Sequence, residues 1–344
     1  MQRRHPPEKL VNADGRVHRG RFTASVPRIN GREYDYRTAM GRPAPARQRR
    51  FHYKQFQYFG LVSDELLLGC ALADTAWLGV AFFYWFEPAT GELHEYSWRS
   101  PLARQPRLSQ SPVEGLSRFR QKGVDIRMGY ESGTDGLRKS LAVELPELQL
   151  HAYMDEPTDF EPMSICTRTG VNGWTYANKV AGRPVEGHLT CRGNSRDLGE
   201  LNAGGHHDCS AGYMRRRTFW NWACLSGRAQ GHWLGLNVSC GVNETSFTEN
   251  CFWRDNALIK VDLVDFDYDG DDLMRAWRIR SGDARVDLVF EPLNRHRETL
   301  NLGLFASNFH QIFGRFTGVL RDACGREIRV DGLHGFVEEQ YAQW

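Results

Sequence analysis

Residues 66–98 read LLLGCALADTAWLGVAFFYWFEPATGELHEYSW, and their pattern is typical of β-structure. Two apolar runs, Leu66–Ala73 and Ala76–Phe86, are separated by the polar pair Asp74-Thr75. A membrane-spanning helix needs about 20 mostly apolar residues, and an acidic residue in its middle is costly. The turn Pro88–Gly91 then joins the second run to Leu93–Trp98, as in a β-hairpin. This stretch therefore predicts three consecutive antiparallel strands.

The same pattern of short apolar runs separated by turn residues continues over most of the chain. Aromatic residues make up 12% of the 344 residues and glycine occurs 34 times, which favours strands over helices. Only residues 293–303 carry a weak helical period. Many short strands at near-regular spacing predict an all-β fold of two barrels packed together. We expect an N-terminal arm over residues 1–50, a first barrel over 51–170 and a second barrel over 171–344.

The arm differs from the rest of the chain in charge. Residues 1–50 contain 13 Lys and Arg against 4 Asp and Glu, whereas the remainder contains 31 and 38. We expect an extended, Arg-rich segment with little regular structure. It either wraps and pairs with its own acidic body or makes peripheral contact with a phosphate-rich surface such as a membrane. The net charge of only +2 argues against a dedicated nucleic-acid partner.

The cysteine pattern and the first residues bear on the cellular compartment. The eight cysteines form no Cys-x-x-Cys pair, which argues against a zinc ribbon or a thioredoxin-like motif. Met1–Pro7 lacks the apolar segment of a secretory signal. These features predict a cytoplasmic protein with free thiols.

The segment 204–223, GGHHDCSAGYMRRRTFWNWA, carries the most suggestive chemistry. A glycine-bounded loop with His206, His207 and Asp208 could transfer protons, with Asp208 as the general acid and either histidine as its partner. In the strand that follows, Trp220 and Trp222 share one face and could line an apolar pocket or stabilise a cation. The alternative is that the loop is a surface turn and the tryptophans are core residues.

Other polar residues occur where strands are expected to be apolar. They either pair with one another inside a barrel or line a ligand cavity. The candidates for substrate binding are Trp174, Lys179, Asn237, Glu249 and Asn250. No Gly-x-Ser-x-Gly elbow, dinucleotide fingerprint or Walker loop is present, and we predict neither a cofactor nor a metal site.

Several longer motifs together resemble a bacterial family of unknown function, number 2804, over nearly the whole chain. They are Phe83–Pro88, Glu95–Pro101, Asn172–Lys179, Gly182–Gly187, Asp208–Tyr213, Arg217–Ala223, Gly235–Asn237, Glu249-Asn250, Phe309–Gly314 and Trp344. The Asp that precedes a Trp-x-Trp pair is also similar to the carotenoid hydratase, hydroxyneurosporene synthase and tocopherol cyclase-like group.

That second similarity implies two lipocalin-like (calycin) barrels and a lipophilic substrate that is protonated at an alkene by a buried Asp. The chain departs from the pattern, because Cys209 and Ser210 stand where the group has His and Asn. Its residues and its resemblance together predict a cofactor-independent acid–base enzyme of the hydratase, cyclase or isomerase type. The alternative is a non-catalytic protein that binds a lipid or another hydrophobic small molecule in the same fold.

Overall fold

The computed structural model describes residues 3–242, 247–303 and 305–344. Strands dominate this part of the chain, and its one α-helix is the short α1, Ala46–His52. The strands of the first sheet are β1 Gly20–Phe22, β2 Tyr53–Val62, β3 Leu67–Asp74, β4 Leu78–Glu87, β5 Glu92–Pro101, β6 Gly115–Gln121, β7 Val124–Gly133, β8 Gly136–Leu145, β9 Leu148–Pro157, β10 Met163–Thr169, β11 Gly173–Cys191, β12 Asn194–Asp197 and β13 Gly204–Tyr213. Those of the second sheet are β14 Arg217–Ala229, β15 His232–Cys240, β16 Cys251–Arg254, β17 Ala257–Lys260, β18 Val264–Asp267, β19 Trp277–Ser281, β20 Val286–Asn301, β21 Ala306–Arg321 and β22 Glu327–Gln343.

Each sheet is an antiparallel ribbon that curls into a half-barrel. The order in the first sheet is β5-β4-β3-β2-β13-β11-β9-β8-β7-β6, with β1, β10 and β12 attached to this path. The order in the second sheet is β17-β16-β15-β14-β22-β21-β20-β19-β18. The predicted all-β fold with two lipocalin-like units is therefore confirmed.

The two sheets come into close backbone contact where glycines remove side chains from both. Gly182 lies at a bulge in β11 with a φ of 74°, and a Cβ there would come within 2.5 Å of the Gly235 nitrogen on β15. The Ser226 hydroxyl accepts a hydrogen bond from Gly182 N at 3.0 Å and donates one to the Gly205 carbonyl at 3.0 Å. These contacts fix how the sheets face each other and thus the space left between them.

The N-terminal arm packs onto the first sheet instead of extending into solvent. Its apolar side chains, including Leu10, Phe22 and Ile29, are buried with Trp174 and Tyr213 in one cluster. Arg3 and Arg21 both form ion pairs with Glu161, at 2.6 and 2.7 Å. The arm also contributes the strand β1 and the start of α1, so it has more regular structure than expected.

The positions of the strands test the hairpins, the helical segment and the domain limits expected from the sequence. The predicted strands around the Asp74-Thr75 and Pro88–Gly91 turns are confirmed as β3, β4 and β5. The weak helical signal over 293–303 was wrong, because β20 extends to Asn301 and pairs with β21. The domain limits 51–170 and 171–344 stay a prediction; the chain passes from the first sheet to the second between Tyr213 and Arg217. Among the described residues, no helix is long and apolar enough to cross a membrane.

Candidate active site

A cavity of about 440 Å³ lies between the two sheets, within the range of small-molecule sites. Strands β2, β4, β11 and β13 line it on one side, and β14, β15, β20, β21 and β22 on the other. Aromatic side chains supply much of its wall: Phe56, Tyr58, Phe82, Trp220, Trp222 and Phe309. The cavity meets solvent at the end bordered by Trp77, Phe305 and Leu302, where Leu302 is 67% exposed.

Strand alternation in β13 decides which of its residues reach this cavity. The segment predicted as a loop, His206 to Asp208, is part of a regular strand between β2 and β11. Successive side chains of a strand point to opposite faces. Asp208 and Ser210 therefore line the cavity, whereas His207 and Cys209 point to the other face of the first sheet.

An ion pair between Lys179 and Asp208 lies on the first-sheet wall. The two residues are opposite each other in the register of β11 and β13, and Lys179 Nζ lies 2.5 Å from Asp208 Oδ2. The Ser210 hydroxyl donates to Asp208 Oδ1 at 2.7 Å. Burial raises the pKa of Asp208, and the neighbouring ammonium opposes that shift.

Glu249 brings a second carboxylate to the same ammonium. Its Oε1 lies 3.3 Å from Lys179 Nζ and accepts a hydrogen bond of 3.1 Å from the Ser239 hydroxyl. Burial alone would lower the pKa of Lys179, but Asp208 and Glu249 together raise it above its ordinary value. Lys179 therefore stays an ammonium ion at neutral pH.

A third carboxyl group, that of Glu338 on β22, faces the cavity from the second sheet. It accepts hydrogen bonds from Trp220 Nε1 at 3.2 Å and from Gln311 Nε2 at 2.7 Å. No lysine, arginine or histidine of the described residues forms an ion pair with it. Burial raises the pKa of Glu338 to about 7.

A polar chain continues behind Glu338 into the contact between the sheets. Gln311 accepts a hydrogen bond from the Tyr84 hydroxyl, and that hydroxyl lies 2.8 Å from the Tyr58 hydroxyl. All three side chains are buried. This chain of hydrogen bonds fixes the orientation of the Gln311 amide, so that its N–H group donates to Glu338.

The predicted pairing of Asp208 with a histidine is not what the structure contains. Both ring nitrogens of His206 lack a hydrogen-bond partner among the described residues, and burial lowers its pKa to about 3. His207 Nε2 lies 3.1 Å from the Tyr130 hydroxyl on the far side of the strand, and burial lowers its pKa as well. Because side chains alternate along a strand, His206 and His207 cannot both lie on the same face as Asp208. His206 does lie on that face, but its ring packs among Tyr58, Trp222 and Phe336.

Both predicted tryptophans lie on the cavity wall, held by different partners. Trp220 donates its indole N–H to Glu338, whereas Trp222 donates to Asn237 Oδ1 at 2.8 Å. Asn237 in turn donates to the Glu249 carbonyl at 3.2 Å. Asn237 thus does not border the cavity itself but positions two residues that do.

Two other predicted binding residues lie away from the cavity. Trp174 is fully buried in the cluster beneath the N-terminal arm, where its ring contacts Tyr34 and Tyr213. The Asn250 amide accepts from Ser239 N at 2.7 Å and donates to the Asp262 carbonyl at 3.2 Å, which secures the approach to β16. Neither residue borders the cavity.

Comparison with known proteins identifies the family and the fold. The chain belongs to the family described as Domain of unknown function (DUF2804), whose model matches residues 2–344. A comparison with curated protein sequences finds no match.

Several solved structures of low sequence identity are similar to this chain. CghA with Sch210972 shares 10% identity at a TM-score of 0.54, covering 98% of this chain and 97% of that chain. Kievitone hydratase from Nectria haematococca shares 10% identity at a TM-score of 0.49, covering 84% and 89%. A putative AttH from Nitrosomonas europaea shares 15% identity at a TM-score of 0.48, covering 84% and 92%. The likeness to CghA shows that this chain has the same two-sheet fold.

Proposed function

We propose that the protein is an acid–base enzyme that acts on a lipophilic small molecule through proton transfers alone. The observation that carries the proposal is the composition of the cavity: an aromatic wall along which Lys179 and the carboxyl groups of Asp208, Glu249 and Glu338 lie, in addition to Lys54, Arg99 and Glu298. A cavity that only stores an apolar ligand gains nothing from these groups, since each is costly to bury. Their presence favours a reaction in which charge develops.

Glu338 is the proposed proton donor. A general acid works best when its pKa is near the operating pH, and burial raises the pKa of Glu338 to about 7. Its two hydrogen-bond donors are neutral, and the Lys179 ammonium, which is not in ion-pair contact with it, offsets only part of the effect of burial. The indole rings of Trp220 and Trp222 lie on the same wall and offer π-faces to a cationic intermediate.

Asp208 is the proposed base, a change from the acid role expected from the sequence. The ammonium of Lys179 and the hydroxyl of Ser210 both stabilise its ionised form, which can accept a proton but not donate one. Lys179 and Glu249 serve to keep that carboxylate in place.

The proposed reaction balances without a redox partner. Glu338 protonates one carbon of a double bond, and the resulting cation either adds water, is attacked by a second double bond or loses a different proton. Asp208 takes the proton released from the water or from carbon. The three outcomes are hydration, cyclisation and isomerisation, in agreement with the reaction types expected from the sequence.

The alternative, a carrier with the same cavity, predicts that a bound ligand is released chemically unchanged.

The experiment begins with organic extraction of the purified protein and mass spectrometry of the extract. Ala306→Trp places an indole in the cavity wall and is expected to remove the bound compound, whereas Ala257→Trp, at an exposed position on β17, is the matched control. Compounds lost only in the first variant are then incubated with the wild-type protein in heavy water.

The products distinguish the possibilities. Hydration adds one molecule of heavy water to the ligand, and cyclisation or isomerisation introduces one carbon-bound deuterium. Recovery of an unchanged ligand without deuterium would contradict the enzyme and support the carrier.

A further inference from the structure

The three most exposed large apolar side chains of the described residues all lie at one end of the molecule. They are Met40, Val171 and Leu302, which are 86%, 73% and 67% exposed. Each lies in a turn or loop outside the strands. Exposed apolar side chains are ordinary when scattered, but a group of them marks a contact surface.

Strand register places two of these turns at the same end. In the first sheet, Thr169 and Gly173 are paired across the turn that holds Val171. In the second sheet, Asn301 and Ala306 are paired across the turn that holds Leu302. The arm turn with Met40 lies beside the first of these, because the Asn172 amide donates to the Arg37 carbonyl.

Aromatic contacts join the two sheet ends around the cavity opening. Trp77 stacks on Phe51 with ring centroids 3.7 Å apart and contacts Phe305 at 4.9 Å. Trp77 and Phe305 both border the cavity, and Leu302 N donates to the Phe305 carbonyl at 2.8 Å. Leu302 therefore borders the opening through which a ligand enters, and Val171 and Met40 lie at the same end of the molecule.

Arginines surround the same opening. The arginine rim, as we call it, consists of Arg47, Arg49, Arg50, Arg215, Arg216 and Arg217, all of them exposed. The first three are on α1, where Arg47 and Arg50 lie over the Phe51 ring. The last three lie in the segment that joins β13 to β14. Trp344, at the cavity wall, donates hydrogen bonds to the Arg215 and Arg216 carbonyls. Within the described part of the chain, Arg47, Arg49, Arg50, Arg215 and Arg217 form no salt bridge, although the neighbouring Asp74 is paired with Arg32.

From this arrangement we propose that the open end of the cavity docks on an anionic lipid bilayer, from which the lipophilic ligand passes into the cavity. The arginine rim meets the headgroups, and Met40, Val171 and Leu302 insert at the boundary of the acyl chains. Basic side chains flanking exposed apolar groups are the combination that binds peripheral proteins to anionic membranes. This proposal does not depend on catalysis, because docking is measured without a substrate.

The test is flotation of the full-length protein with vesicles of phosphatidylcholine alone or mixed with phosphatidylglycerol, at low and at high salt. Binding is expected only to the mixed vesicles and is expected to weaken with salt. The triple variant R47Q/R49Q/R50Q is expected to bind roughly a hundredfold more weakly, since each basic residue contributes about 1 kcal/mol near an anionic surface. The variant M40S/V171S/L302S tests the apolar contribution and is also expected to bind more weakly.

A second triple variant, R120Q/R280Q/R329Q, is the matched control. It removes the same charge from exposed arginines on other strands, which form no salt bridge among the described residues. It is expected to bind like the wild-type protein. Equal loss in both triple variants would overturn the proposal in favour of unspecific charge attraction. Absence of vesicle binding, or equally tight binding to duplex DNA with the same salt dependence, would overturn it as well.

Discussion

Lys179 and Asp208 are directly opposite each other on β11 and β13, and their charged groups lie 2.5 Å apart on the wall of an otherwise largely apolar cavity. Because Glu249 contacts the same ammonium, a single lysine balances two carboxylates. A third carboxyl group, that of Glu338, faces the same cavity without an ion-pair partner among the described residues.

Replacing Lys179 with methionine is expected to destabilise the protein by about 3 kcal/mol at neutral pH, because a buried charge loses its partner. Asp208 then resists ionisation, so its pKa rises and the loss of stability grows as the pH increases. Urea unfolding at about pH 5 and about pH 8 measures both effects. The double variant Lys179→Met with Asp208→Asn is expected to recover part of the loss, and an equal loss at both pH values would show that the charge is not responsible.

The pH dependence of stability is expected to carry the signature of Glu338. Its pKa is about 7 in the folded protein and 4.5 ordinarily, so the folded state binds the proton more tightly. This contribution is fully present below about pH 4.5 and is lost as the pH rises through about 7, a change on the order of 3 kcal/mol. Glu338→Gln removes this contribution, so the stability difference between the wild-type protein and the variant is expected to fall by that amount across the window, whereas the buried histidines act on both proteins.

Glu339→Gln is the matched control for that measurement. Glu339 is the next residue on β22, faces the opposite side of the sheet and accepts a hydrogen bond from the Tyr268 hydroxyl at 2.7 Å. The control is expected to keep the wild-type slope between about pH 4.5 and 7. If both variants keep it, another group titrates in this range.

Turnover is expected to need both Asp208 and Glu338. With the ligand found by extraction, Asp208→Asn and Glu338→Gln are each expected to lower the rate by about a hundredfold or more, the usual contribution of a general acid or base. Ligand binding is expected to remain, because the aromatic wall is unchanged. His207→Gln, on the far face of β13, is expected to leave the rate within a few fold of the wild type; a large loss there would restore the role predicted from the sequence.

Much of the fold could be predicted because strand and turn signals are local. The hairpins around Asp74 and Pro88 follow from alternation and turn residues within a few positions of each other. The weak helical pattern near Leu293 failed because β20 packs between β19 and β21, and sheet pairing overrode the local preference.

The site could be predicted only in part, because it depends on pairing between distant strands. Asp208, Trp220 and Trp222 were found because they lie close together in sequence. Glu338 was missed because it becomes a neighbour of Trp222 only through the pairing of β14 with β22. Strand alternation in the sequence predicts that Phe336 and Glu338 share one face, but it does not predict which strand pairs with β22.

The hydrogen bond from Trp220 to Glu338 gives the last prediction. A donor to the ionised carboxylate lowers its pKa, so removing the indole N–H with Trp220→Phe is expected to raise the pKa of Glu338 above about 7, by about one pH unit. Trp222→Phe is the matched control, because the Trp222 indole donates to Asn237 instead. The midpoint of the stability change with pH measures the shift in both variants. An upward shift only in Trp220→Phe assigns the titration to Glu338, since no other carboxyl group of the described residues accepts a hydrogen bond from the Trp220 indole. An unchanged midpoint, or an equal shift in both variants, would show that general loss of aromatic packing governs the cavity and that the hydrogen bond does not tune the proposed acid.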